Sequence, residues 1–186
     1  MRVLQVFQQH TDPRLPGGAG KGVCLLMSCW YLINAAKGDD YWDWFAANAA
    51  VVRDLGNRTV PPEHYFREMR SVGNLEFKGK IECSNAYLAD ALLDNGIKAT
   101  GVWPWRLAVM DNPGFKQAHA IALYWGMKLR ILDVTEGEFE FDSAADCRRW
   151  LIQHNAVPRV RFGAAELPYS SAFPKLTVYG FVKSAG

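Results

Sequence analysis

The four cysteines, Cys24, Cys29, Cys83 and Cys147, form no C-x-x-C pair, so the closely spaced ligands of a zinc finger are missing. Four in 186 residues are also too sparse for a disulfide scaffold. No apolar run reaches the ~20 residues that span a bilayer; the longest, Val23 to Ala36, is interrupted by Ser28 and Asn34. The stretch from Met1 to Gln9 is too short and too often broken by polar residues to be a cleaved signal peptide. A soluble chain without membrane insertion is therefore expected. Charge of one sign is lacking too: 21 Lys+Arg stand against 19 Asp+Glu, a formal net charge of +2. No phosphate-tracking stripe follows from that balance, and nucleic acid is not an expected partner.

What the chain does have is apolar side chains. Hydrophobic residues make up 49%, with seven Trp, seven Tyr and ten Phe, enough to exclude disorder as a description of the whole. The length suits a single domain over residues 1–186. The run Gly17-Gly18-Ala19-Gly20-Lys21-Gly22 invites a phosphate-loop reading. It fails the G-x-x-x-x-G-K-[ST] spacing at Leu15 and at Gly22 and reads as a flexible connector.

Periodicity gives the elements. Residues 2–9 alternate as a strand. Val23 to Ala36 is apolar on every side at helical length, ending near Gly38, which places that helix in the centre of the domain. Residues 39–55 and 61–71 read as helices, the first opened by Asp39 and Asp40, the second by Pro61-Pro62. Ser84 to Asp94 reads as another, closed by Gly96, so that all four cysteines fall in or beside helical segments. Gln117 to Tyr124, Lys128 to Val134, Glu138 to Phe141 and Leu176 to Val182 read as strands. Ser143 to His154 reads as a helix capped by Asp142 or Ser143. Helices first and strands later predict an α+β fold, an antiparallel sheet packed on the buried helix.

Two of the strands bring a histidine and an acid together. A hairpin centred on Gly126 pairs His119 with Asp133, Ile121 with Ile131 and Leu123 with Leu129. Directly opposed residues have β-carbons ~4.5–5.5 Å apart. A carboxylate there can hold the imidazole tautomer, the third role of a nucleophile-base-orienter triad; a surface His–Asp pair is the plainer description, and a slip of one would separate the two. Cys24 supplies a nucleophile at the start of the buried helix. Unpaired backbone N–H groups and the helix dipole favour a thiolate there. With no Ser, Thr, Asp or Asn at the cap position, those N–H groups are available to an oxyanion, unless Gly22 simply serves as the cap. Cys29, Cys83 and Cys147 read as buried structural thiols, and His10, His64 and His154 as solvated or capping histidines. Tyr41-Trp42-Asp43-Trp44-Phe45 and Trp103-Pro104-Trp105 read as core aromatics or as the lining of a substrate groove.

Gly22-Val23-Cys24 followed by Ser28-Cys29-Trp30-Tyr31-Leu32 resembles the nucleophile helix of the YopT/AvrPphB-type cysteine proteases, bacterial effectors with a papain-like fold. His119-Ala120-Ile121-Ala122-Leu123 and Asp133-Val134-Thr135-Glu136-Gly137-Glu138-Phe139 are similar to the family's histidine block and its Asp-Pro-Asn-x-Gly run, with Val134 and Thr135 in place of Pro and Asn. The resemblance implies a papain-like cysteine protease fold with Cys24 as nucleophile, His119 as base and Asp133 as orienting acid. It further implies an oxyanion-hole side chain upstream, for which Gln8, or its neighbour Gln9, is the candidate. No cofactor and no metal are implied. A protein substrate in a host or target cell is, together with a secretion chaperone and export through a specialised bacterial secretion system. The chain starts almost at the catalytic segment, so the long N-terminal extension of many such effectors is not expected. The same triad also serves an amidase, such as a peptidoglycan amidase toxin, or an acyltransferase, and the scaffold can carry a non-catalytic binding module.

Overall fold

A computed structural model describes residues 1–9, 11–15, 23–56, 60–95, 103–114, 117–162 and 164–184. The expectations for His10, the Gly17 to Gly22 run and the Gly96 cap lie outside the described residues.

The apolar run becomes α1 (Val23–Lys37), buried along nearly its whole length. Gly38 ends it at φ +82°, its N–H returning to the Asn34 carbonyl at 2.9 Å, a left-handed position that glycine takes without steric cost. Next come α2 (Tyr41–Gly56), a 3-10 turn (Pro62–Tyr65) and α3 (Phe66–Gly73). Asp40 caps α2, its carboxylate accepting from the Trp42 and Asp43 N–H groups.

A seven-stranded antiparallel sheet runs in the order β1-β6-β5-β4-β3-β9-β2. Its members are β1 (Arg2–Val6), β2 (Leu75–Ser84), β3 (Trp105–Asn112), β4 (Gln117–Trp125), β5 (Leu129–Asp133), β6 (Gly137–Phe141) and β9 (Lys175–Lys183). A separate ribbon pairs β7 (Pro158–Phe162) with β8 (Ala165–Pro168). Between β2 and β3 the chain coils through a 3-10 turn (Asn85–Tyr87), a short α4 (Leu88–Asp90) and a π turn (Ala91–Asn95), not one continuous helix as expected. Helix α5 (Ala144–Ala156) starts at Ser143, whose hydroxyl accepts from the Asp146 N–H, and runs through His154 to Ala156. A last turn, α6 (Tyr169–Ala172), precedes β9.

Both sheet faces are covered, so β4 and β5 read as almost continuous apolar runs and not as polar alternations. On one face Leu107, Ala120, Ala122 and Leu132 join the core built by α1 to α3. On the other, Ile121, Leu123, Ile131 and Phe141 pack on Leu92, Cys147 and Leu151.

Besides the β7–β8 ribbon, two strands of the main sheet were hidden in the sequence. β2 is an edge strand whose alternate positions carry Glu76, Lys78, Lys80 and Glu82, paired along the strand as Lys78–Glu76 and Lys80–Glu82. Its apolar signal is weak because charge is what protects a free edge. Cys83 lies in that strand, half-exposed, and not in a helical segment. β3 begins at Trp105, just after Trp103; both indoles are buried, which settles that pair as core aromatics. Trp103 lies flat on β9 where Gly180 leaves room; a β-carbon at Gly180 would run into the ring. Tyr41 and Phe45 are likewise buried, while Trp42 and Trp44 pack from the core's edge.

The β4–β5 register differs from expectation by two residues: Trp125 faces Leu129, Leu123 faces Ile131 and Ile121 faces Asp133. Trp125 cannot serve in the turn. Its N–H bonds to the Pro104 carbonyl at 2.7 Å and its ring packs on the second core beneath Arg106. The turn therefore moves to Gly126, Met127 and Lys128, with Met127 fully exposed at the tip. A slip of two keeps every side chain on its own face, so His119 and Asp133 become diagonal neighbours on one side of the sheet.

Candidate active site

Helix α1 lies along β4, and the two repeats are commensurate. Four helical residues rise about 6 Å and two strand residues about 6.6 Å. Thus Ser28 Oγ donates to the Ala120 carbonyl at 3.3 Å, while Cys24, four residues earlier, brings its Sγ to 4.0 Å from the Ala118 carbonyl. This pins the second residue of α1 at the end of β4, next to His119, where the thiol acts on the imidazole charge. Both are buried.

His119 Nε2 lies 3.0 Å from Asp133 Oδ1, leaving Nδ1 as the nitrogen for the thiol. The ring is stacked on Tyr169 at 4.9 Å and 25°, with Phe173 beyond at 6.4 Å. Asp133 is fully buried. Its Oδ1 also accepts from the Thr135 N–H at 2.9 Å and hydroxyl at 2.7 Å. Thr135, which stands where the resembled family has Asn, thus closes a local turn on the acid, and its hydroxyl accepts from the Tyr169 hydroxyl at 2.8 Å.

Burial alone would push the Asp133 carboxyl up, but His119 and His154 beside it hold it well below the usual carboxylate range. Burial would likewise lower His119; the Asp133 charge and hydrogen bond outweigh it, together with Cys24, and raise the imidazole to about 10. A raised imidazole stabilises the folded state fully below its unfolded value near 6.5, and loses that contribution as pH climbs through about 10. A lowered carboxyl contributes above about 3.8 and loses its share only as acid overtakes the folded value. The urea midpoint should therefore fall between pH 7 and 10, and His119→Gln should flatten that slope. An alkaline slope unchanged by the substitution would contradict the assignment.

His154 departs from expectation. It is not solvated: it is 3% exposed, with Nε2 2.7 Å from Asp133 Oδ2 and its ring stacked on Trp150 at 4.2 Å. The signal was present, since Cys147, Leu151 and His154 share the buried face of α5 at i, i+4 and i+7. His64, by contrast, is exposed on its 3-10 turn.

Gln8, offered by the sequence as the oxyanion donor, is exposed, with its side-chain oxygen near the Thr11 hydroxyl. Gln9 is the buried one, its N–H bonded at 3.0 Å to the carbonyl of Val134, next to Asp133. The other thiols stand apart from any such arrangement. Burial pushes Cys29 up and raises Cys147 to about 12, and it raises the half-exposed Cys83 as well. Among the described residues no group of three or more His, Cys, Asp or Glu is placed to hold a metal ion, and no helix is long and apolar enough to cross a membrane.

No protein-family model and no curated protein sequence matches this chain. Among solved structures it is similar to the Pseudomonas avirulence protein AvrPphB, at 12% sequence identity and a TM-score of 0.55, over 96% of this chain and 96% of the other. At that identity the likeness is one of fold. The α+β architecture is that of the papain-like AvrPphB fold, a buried helix packed on an antiparallel sheet.

Proposed function

We propose that the chain, as a single catalytic domain, is a papain-like cysteine peptidase acting on a protein substrate. One observation carries the reading: the thiol at the start of the buried helix lies at the end of β4 beside His119, whose imidazole is held by a buried carboxylate. The Cys24 thiolate attacks the scissile carbonyl carbon, and the carbonyl π electrons move to oxygen. The His119 imidazolium protonates the departing amine as the C–N bond breaks, leaving an acyl-thioester. Neutral His119 then takes a proton from water, the hydroxide adds to the thioester carbonyl, and the thiolate leaves. Asp133 orients the imidazole and stabilises its cation. The oxyanion is met by N–H groups of the first turn of α1 and by Gln9, which takes the role from Gln8 because it is buried beside Val134.

The likeness to an avirulence protein supports an effector role: delivery by a specialised bacterial secretion system with a chaperone, and cleavage of a host protein. The test compares proteomes of target cells exposed to the active protein and to its Cys24→Ala variant. New protein N-termini confined to the active form are expected. No new N-termini, with release of muropeptides from cell wall instead, would replace the peptidase by an amidase using the same triad.

A further inference from the structure

The triad reading leaves His154, a buried titratable group against the acid, without a task. Asp133 has two oxygens, and each faces a histidine: Oδ1 faces His119 Nε2 at 3.0 Å, Oδ2 faces His154 Nε2 at 2.7 Å. We propose that His154 is a positioning residue for the Cys24 reaction, donating Nε2–H to Asp133 so that the carboxylate is fixed in rotation and keeps its charge for His119. This rests on the triad reading above.

The tautomer follows from the neighbours. Arg159 Nη1 lies 3.0 Å from His154 Nδ1, and a guanidinium can only donate. Nδ1 is therefore the acceptor, and the proton of a neutral ring sits on Nε2, aimed at Asp133. Arg159 is in turn paired with Glu136, whose Oε2 lies 3.3 Å from the same Nδ1. The ring cannot turn away: Trp150 stacks on it at 4.2 Å and 18°, and Tyr169 meets it at 5.3 Å and 62°.

Among the described residues, the charged or titratable groups that meet the ring are Asp133 from β5, Glu136 from the β5–β6 turn, Arg159 from β7 and Tyr169 from α6. The arginines on α5 itself point elsewhere, Arg148 to Asp90 and Asp94, Arg149 to Asp146. A buried imidazole kept only for its volume would need none of this. Here one nitrogen meets a carboxylate and the other a guanidinium, so the ring links Arg159 to the acid behind His119.

His154→Gln keeps an N–H donor at comparable reach and cannot take a proton, whereas His154→Leu fills the space and removes the donor. The His119 ring titration, followed by NMR in a Cys24→Ala background, is expected to fall by about one pH unit or more in His154→Leu and to move little in His154→Gln. On active protein, His154→Leu should lower kcat by about 10–100-fold, the range for removing a group that orients a functional residue. KM should change little and the alkaline limb of the pH–rate profile should move down in step. His154→Gln should restore most of kcat. If the leucine variant does not fold, His154→Asn, too short to reach Asp133, makes the same comparison. An unmoved His119 titration in the leucine or asparagine variant, or a glutamine variant as impaired as either, would refute the proposal. Because that titration is read without turnover, it stands apart from the failure of the peptidase reading, which would show as absent hydrolysis in the wild type.

Discussion

Cys24→Ala is expected to abolish hydrolysis, with a loss on the order of 10⁶-fold in kcat, as when a nucleophile is removed from a hydrolase triad. The fold should survive. The substitution deletes one buried sulfur whose other contact, to the Ala118 carbonyl, is long at 4.0 Å. Removing a group of that size costs about 1 kcal/mol, a fall of ~2–4 °C in Tm for a chain this long. Cys83 provides an internal control for reactivity, being more exposed than Cys24 and raised by burial and then by Asp90. At pH 6, iodoacetamide should label Cys24 at least ~10-fold faster than Cys83, and His119→Ala should remove the difference. Equal rates at the two thiols in the wild type would mean a scaffold without an activated nucleophile, which is the binding-module reading.

Asp133→Asn should separate charge from orientation. The Thr135 backbone N–H, 2.9 Å from Oδ1, can only donate, so the amide must keep its oxygen on that side. His119 Nε2–H then still finds an acceptor, whereas the amide nitrogen is set against the His154 Nε2–H, donor facing donor, because Arg159 keeps that tautomer. The imidazole stays in place but loses the charge that raises it to about 10. A drop in kcat of about 10²–10³-fold is therefore expected, less than the ~10⁴ found where such a substitution also selects the wrong tautomer. The alkaline limb of the pH–rate profile should move down by about two units or more. Asp133→Ala should behave differently. It strands two imidazoles, one N–H and one hydroxyl in a dry interior, and the loss of ~3–5 kcal/mol typical of a broken buried charge network should show as a large fall in Tm. An asparagine variant with an unshifted alkaline limb would remove Asp133 from the charge balance of the site.

The position of Cys24 at a helix start was legible because it depends on local pattern alone: an apolar run of helical length with the thiol at its first turn. His119 and Asp133 were legible because alternation in two adjacent strands fixes which face each occupies. The pairing itself was drawn two residues out of register, and it was the packing of Trp125 on the second core, with its N–H on Pro104, that moved the turn. That an even slip preserves faces is why His119 and Asp133 still meet on one side of the sheet despite the error in the hairpin.

The edge strand β2 escaped notice because charged alternation carries little hydrophobic signal, although its long pairing with β9 is plain in three dimensions. Between Gln8 and Gln9 the sequence favoured Gln8; in the structure Gln9 is the buried one, its N–H bond to Val134 laying that segment beside the end of β5. His154 lies 21 residues beyond Asp133 on a helix packed on the other side of the sheet from α1. No spacing rule joins those two positions; docking α5 against β5 and β6 does. What the sequence determined by itself was the type of the strongly patterned elements and which face of each is apolar, because both follow from backbone geometry over a few residues. Which polar groups meet across those faces, and so which histidine holds which oxygen of Asp133, was decided only when the helices were packed onto the sheet.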